Sequence, residues 1–175
     1  MTDRHISTRA AEAVADAALA RRGQVRIGVL ADTHGLLRDE ALDAMRGADV
    51  ILHAGDVGKY SIIERLSELA PIVAVRGNID RAGPEAELPE RVILTLAGQR
   101  ILLLHDLKTL EPDAAADYAV VVAGHSHKPR CDLTGTTLLF SPGAAGQRRF
   151  KLPIAVGILK LTPTGAHGEI ITLLT

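Results

Sequence analysis

The sequence predicts an α/β chain in which two packed mixed β-sheets are flanked by helices, a four-layer α-β-β-α sandwich. In the first half, short apolar runs of strand length alternate with segments of helical periodicity. Those runs are apolar throughout, as in parallel sheets whose two faces are both covered. In the second half the texture changes to strand pairs joined by Gly-bearing turns.

Taken in order, Val25–Ala31 reads as the first strand, and Leu36–Arg46 as a helix with Leu37, Ala41, Ala44 and Met45 on its apolar stripe. Asp49–Ala54 is the second strand, Ile62–Leu69 the second amphipathic segment and Ile72–Val75 the third strand. A loop bearing Gly and Pro, Arg81–Pro89, ends this βαβαβ half. Arg91–Ala97 and Arg100–His105 then pair around Gly98-Gln99, and Tyr118–Ala123 is a further buried strand. Cys131–Thr134 pairs with Thr136–Phe140 around Gly135, and Ile154–Leu161 with Gly168–Leu174 around Pro163–Gly165.

Residues 1–24 stand apart as an N-terminal extension, helical or flexible, ahead of a domain spanning 25–175. They are rich in Ala and charge, carry no signal-peptide core, and hold the acids Asp3, Glu12 and Asp16 that a transit peptide lacks. Ala11–Ala20 is good helix-forming material that Ser7 or Thr8 can cap. With Ala as its main apolar residue the segment would bury little area. We expect it to be frayed or loosely packed and dispensable.

Length and composition exclude several functional classes. A chain of 175 residues with 47% apolar content forms one domain with a real core. No run approaches the roughly 18 apolar residues of a membrane span. A net charge of −1 gives no track for nucleic acid or anionic membrane. Two Tyr, two Phe and no Trp leave almost no stacking platform for bases. The lone Cys131 cannot form an internal disulfide, which fits a reducing cytoplasm; it falls in a strand pattern and reads as core.

Metal-capable side chains follow the predicted strands at five places: Asp32-Thr33-His34, Gly55-Asp56, Gly77-Asn78, His105 and Gly124-His125-Ser126-His127. Ligands of open α/β sheets bind at the carboxyl ends of strands, so the five can converge. Gly55, Gly77 and Gly124 would let the backbone bend and approach closely. Singly, each signal is weak; a His after a strand or a Gly-Asp turn is commonplace.

Their order is specific. D-x-H, G-D, G-N, H and G-H-x-H in succession resemble the blocks of the calcineurin-like metallophosphoesterase superfamily. The wording A-D-T-H-G, H-A-G-D and V-R-G-N is most similar to its small bacterial and archaeal phosphodiesterase-like branch. The resemblance covers about Arg26 to Gly143. It implies two divalent metals, one held by Asp32, His34, Asp56 and His127, the other by Asp56, Asn78, His105 and His125, with Asp56 bridging. Nitrogen and oxygen donors without thiolate suit Mn²⁺, the first expectation, and also Fe, Zn²⁺ or Ni²⁺. The implied reaction is hydrolysis of a small phosphodiester by a metal-bound hydroxide, with Asp32, Asp56, Asn78 and His105 acting through the metals.

The remaining polar residues have plainer readings. His53 is expected on a strand as a buried, satisfied imidazole, and His5 and His167 in solvent. Asp80 either orients a metal ligand or caps the next turn. Ser141-Pro142-Gly143 with Arg148 and Arg149 forms either an anion-holding loop or a hairpin exit with solvated arginines. The sequence departs from the family pattern at Ile79, where the family has a histidine that contacts phosphate and helps protonate the leaving group. It also departs at Asp106, which would add a ligand, repel phosphate or face away, and at Ser141, expected to be structural. Against the phosphodiesterase stand two alternatives. One is a feeble or inactive metal-binding scaffold for another protein, as the retromer subunit of this fold is; the other, disfavoured without the histidine, is a phosphomonoesterase.

Overall fold

In the computed structural model, which describes residues 7–175, helix α1 (Thr8–Arg22) precedes the βαβαβ unit. That unit consists of β1 (Val25–Leu30), α2 (Asp39–Ala44), β2 (Val50–His53), α3 (Ser61–Ser67) and β3 (Ile72–Ala74). The three strands are parallel, with Ile27 beside Val50 and Leu52 beside Val73. Their nearly continuous burial is what the two-faced apolar runs require. Helix α2 is shorter than the periodic segment from Leu36. Residues 33–38 are instead spent on a turn at the end of β1, where the Leu36 N–H donates to Thr33 O at 2.9 Å and Arg38 Nε donates to Gly146 O at 2.9 Å.

The second sheet begins with the hairpin β4 (Arg91–Leu96) and β5 (Gln99–Leu104). Leu96 pairs with Gln99, so the turn residues are Ala97-Gly98 rather than Gly98-Gln99. Both have positive φ, 53° and 74°, as the tight turn that matches strand twist demands. After β6 (Val120–Val122) come β7 (Arg130–Thr134), β8 (Thr137–Ser141), β9 (Ile154–Thr162) and β10 (Gly165–Leu174). The sheet orders are β10-β9-β1-β2-β3 and β4-β5-β6-β8-β7. Each is mixed: β9 joins β1 antiparallel and β10 joins β9 antiparallel in the first, and antiparallel β4 and β7 edge the second.

The main core lies between the sheets and includes Val29, Leu52, Leu103, Val122 and Phe140. A second apolar layer, with Met45, Ile51, Ile63 and Leu66, joins α2 and α3 to the outer face of the first sheet. The outer face of the second sheet is covered by 3-10 turns at Leu107–Thr109 and Pro112–Asp117, so the fourth layer is built of short turns and not α-helix.

Two expectations are corrected. Helix α1 is neither frayed nor loosely packed: Ala11, Ala15 and Ala18, one helical face, are all fully buried. Their small side chains let the helix lie against β1, β3 and β4. Ser7 Oγ accepts the Ala10 N–H at 3.3 Å, Glu12 accepts the Thr95 N–H of edge strand β4 at 3.1 Å, and Arg22 pairs with the buried Asp49 at 2.5 Å. Cys131 is not core, because β7 is an exposed edge strand; its Sγ lies 3.5 Å from Gly168 O. His167 is exposed on β10, and His5 lies outside the described residues. Among the described residues no helix is long and apolar enough to cross a membrane.

Candidate metal centre

All the polar blocks meet at one end of the sandwich. Asp32 and His34 follow β1, Asp56 follows β2 and Asn78 follows β3; His105 follows β5, and His125 and His127 follow β6. Strand pairing continues past the strands into these turns: the Asp32 N–H donates to Gly55 O at 3.0 Å, His34 to Asp56 O at 2.9 Å and Gly124 to His105 O at 2.9 Å. Two glycines are required by close approach. A Cβ on Gly77 would lie 2.0 Å from Asp56 Oδ1, and one on Gly55, whose φ is +89°, would lie 2.6 Å from the His105 ring.

The donor atoms form two lobes. In the first, His34 Nε2 lies 3.3 Å from His127 Nε2, 3.4 Å from Asp56 Oδ2 and 4.0 Å from Asp32 Oδ1, while His127 Nε2 is 3.5 Å from Asp32 Oδ1. In the second, Asn78 Oδ1 is 3.1 Å from His105 Nε2 and 3.0 Å from His125 Nδ1, and His105 Nε2 is 3.3 Å from Asp56 Oδ1. Asp56 therefore presents one oxygen to each lobe. His105 Nδ1 donates to Ala54 O at 2.7 Å, which turns the Nε2 lone pair inward.

Electrostatics favour a cation here. Burial pushes Asp32 up to about 7, reinforced by the Asp56 carboxylate although the His105 charge opposes it. Burial also raises Asp56, but the hydrogen bond and charge of His105 outweigh it and hold Asp56 below the usual range. Burial depresses His105, yet its bonds to Asp56 and Ala54 hold it above its ordinary value. His127 falls to about 4 and His34 also falls, mainly through burial with a contribution from the Arg149 charge, so both imidazoles are neutral and able to donate lone pairs. Asp32 Oδ2 is buried without a hydrogen-bond partner among the described residues. Donor atoms of Asp32, His34 and His127, and of Asp32, Asp56 and His105, each lie within 4.8 Å of one another. Facing nitrogen and oxygen lone pairs, an orphaned carboxylate oxygen and no thiolate suit divalent cations.

A calcineurin-like phosphoesterase superfamily domain matches residues 25–164. The chain belongs to that superfamily. It is 33% identical over 140 residues to a probable metallophosphoesterase of Methanocaldococcus jannaschii, covering 70% of this chain and 69% of the relative. To a probable metallophosphoesterase of Methanothermobacter thermautotrophicus it is 31% identical over 160 residues, covering 83% and 91%. Among solved structures, the Escherichia coli phosphoesterase YfcE aligns with TM-score 0.62 and 26% identity over 77% of this chain and 88% of that one. An archaeal phosphodiesterase gives 0.69 at 19% identity (84% and 100%). Zinc-complexed Vps29 of Entamoeba histolytica gives 0.65 at 19% (85% and 99%). This chain is thus a metallophosphoesterase by family, with Asp and His sets suited to divalent metal.

The surroundings hold roles the sequence did not announce. Asp80 does more than cap a turn. Its buried carboxylate accepts the N–H groups of Val57 at 3.0 Å, Gly58 at 2.8 Å and Gly77 at 2.8 Å, tying the Asp56 loop to the Asn78 loop. Ile79 lacks the imidazole but its N–H donates to Asp56 Oδ1 at 3.1 Å. His53 is buried as expected, 3.0 Å from the Thr33 hydroxyl, but only half satisfied because its Nδ1 has no partner among the described residues. Asp106 lies outside both lobes: it accepts the Lys108 N–H at 3.0 Å, and its Oδ2 is 3.8 Å from His125 Nε2. Arg148 donates to Thr175 O at 2.5 Å and Ser141 lies on β8, so these do not form one anion-holding loop.

Proposed function

We propose that this chain is a phosphodiesterase with a dinuclear centre, Mn²⁺ foremost and Fe, Zn²⁺ or Ni²⁺ compatible with the same donors. The carrying observation is Asp56, whose two oxygens face His34 at 3.4 Å and His105 at 3.3 Å. In this reading Asp32, His34, Asp56 and His127 hold one cation, and Asp56, Asn78, His105 and His125 the other. When bound, two such ions supply Lewis acidity and a nucleophilic water at neutral pH. Asn78 is a neutral donor, so two carboxylates leave a surplus of positive charge that attracts a phosphate anion. Arg149, whose charge bears on Asp32, His34 and His127, adds to that field. The Ile79 side chain has no proton to give, so the rate depends on the substrate's own leaving group. That favours diesters with acidic leaving groups over monoesters.

Protein reconstituted with Mn²⁺ should approach two ions per chain, and Asp56→Asn should weaken both sites. A nitrophenyl diester should be hydrolysed and an alkyl diester should be much slower, because the help a general acid gives a poor leaving group, typically roughly 10²–10⁴-fold, is missing. Full metal occupancy without hydrolysis of the activated diester would leave only the scaffold reading. A scaffold needs a contiguous apolar patch. The exposed large apolar side chains among the described residues are Leu36, Ile79, Ile93, Leu133, Phe150 and Leu174, of which Ile93 and Leu133 lie on β4 and β7, opposite edges of the second sheet.

A further inference from the structure

A cavity of about 480 Å³ opens beside His125, larger than the 330 Å³ groove that carries Arg76, Glu90 and Arg91. Asn78, His105 and His125 line the smaller groove, and His125 and Asp106 also line the larger, so the larger cavity adjoins the metal centre through His125. The larger falls within the usual range of small-ligand sites. Leu107 and Ala123 give it apolar wall, Lys108 and Arg130 give it positive charge, and Ser126 and Ser141 contribute hydroxyls.

We propose that this cavity is a subsite for one ester substituent of the substrate, and that it selects a substituent with an organic body and a second anionic group. The inference rests on the phosphodiesterase reading above and names what that enzyme would prefer. Three observations support it. Lys108 makes no ion pair among the described residues, and Arg130 commits only Nε, to Asp132 at 2.7 Å, out of five guanidinium donors. Ser141, 6% exposed, lines the cavity with a buried Oγ that has no hydrogen-bond partner among the described residues. It sits directly across the β7–β8 ladder from Arg130, so hydroxyl and guanidinium are presented by one rigid unit. The lining includes no Phe, Tyr or Trp, so a base gains no stacking there and the anion supplies the selectivity. Asp106 is the lining carboxylate, and its Oδ1 is engaged by the Lys108 N–H at 3.0 Å.

The test compares thymidine 5′-(4-nitrophenyl phosphate) with the same diester carrying a 3′-phosphate, using the Mn²⁺-loaded full chain. Wild type should favour the 3′-phosphorylated substrate about tenfold in kcat/KM, mainly through KM, as one charge-assisted contact allows. Lys108→Ala/Arg130→Ala should abolish that preference while leaving the plain diester within about twofold. Ser141→Ala should reduce the preference by about threefold. Equal kcat/KM for the two substrates in wild type, or a preference that survives the double substitution, overturns the subsite. If wild type hydrolyses neither diester, the phosphodiesterase reading fails. The subsite is then decided by calorimetry with thymidine 3′,5′-bisphosphate against thymidine 5′-monophosphate: equal affinities overturn it, and a tenfold difference lost in the double variant supports it.

Discussion

Five of the site side chains are carried on left-handed backbone: Asp32 (φ 53°), His34 (47°), Asp56 (54°), His125 (67°) and His127 (56°). Each such non-glycine residue costs on the order of 1–2 kcal/mol, tolerated only where the surroundings over-determine it. Here loop-to-loop hydrogen bonds and the Asp80 carboxylate do so. Residue identities and order were legible in the sequence; the conformation was not, since nothing in D-x-H or G-H-x-H spells φ. A pH dependence follows at this scale. In the metal-free protein Asp32 lies near 7 and His105 above its ordinary value, and each must lose its proton to donate to a cation. Below about pH 7 a metal therefore displaces protons, so Mn²⁺ affinity should climb between pH 6 and 8 and then flatten. Calorimetry in two buffers of different ionisation enthalpy should record more protons released at pH 6 than at pH 8; equal release at both would contradict it.

Elements were read well where burial and period agree and less well where a turn serves the site. The apolar runs of β1, β2 and β3 and the paired strands of the second half stand close to where periodicity put them. The shortened α2 and the Ala97-Gly98 turn differ because hydrogen bonding at β1's end, and strand twist, outrank local propensity. Helix α1 shows the larger discrepancy. Alanine's small area suggested loose packing, yet smallness is what allows close approach, and partners distant in sequence supply the surface. Removing residues 1–24 should consequently cost about 3 kcal/mol, from burial of three alanines and neighbouring apolar surface. In a domain of this size that lowers Tm by roughly 6–12 °C. Because α1 contributes no donor to the centre, metal content of the truncated chain should be unchanged when measured below its Tm. An unshifted Tm would mean the helix contributes nothing net.

At the scale of the molecule, the centre joins the two sheets. Asp32, His34, Asp56 and Asn78 come from the first, His105, His125 and His127 from the second. The buried Asp32 Oδ2 has no hydrogen-bond partner there among the described residues. Saturating Mn²⁺ should raise Tm, since each site filled at 100 times its Kd adds about 2.7 kcal/mol. The increase should vanish with a chelator and shrink in Asp56→Asn. A Tm indifferent to metal would show that the sheets are held by their apolar core alone.

Local sequence patterns carry the alternation of elements, the division into two sheet-forming halves and the identity of the seven polar residues that meet at the strand ends. Each of these is written locally, as a period of burial or as a residue type following a strand. Tertiary structure alone decided that Asp56 divides its oxygens between two lobes, that Asp80 ties two loops together, that Ser141 faces Arg130 beside His125, and that a helix of alanines belongs to the core. Those facts depend on distances between segments tens of residues apart, and the pairing of β1 with β2 and the facing of the two sheets set them; no local pattern encodes such distances.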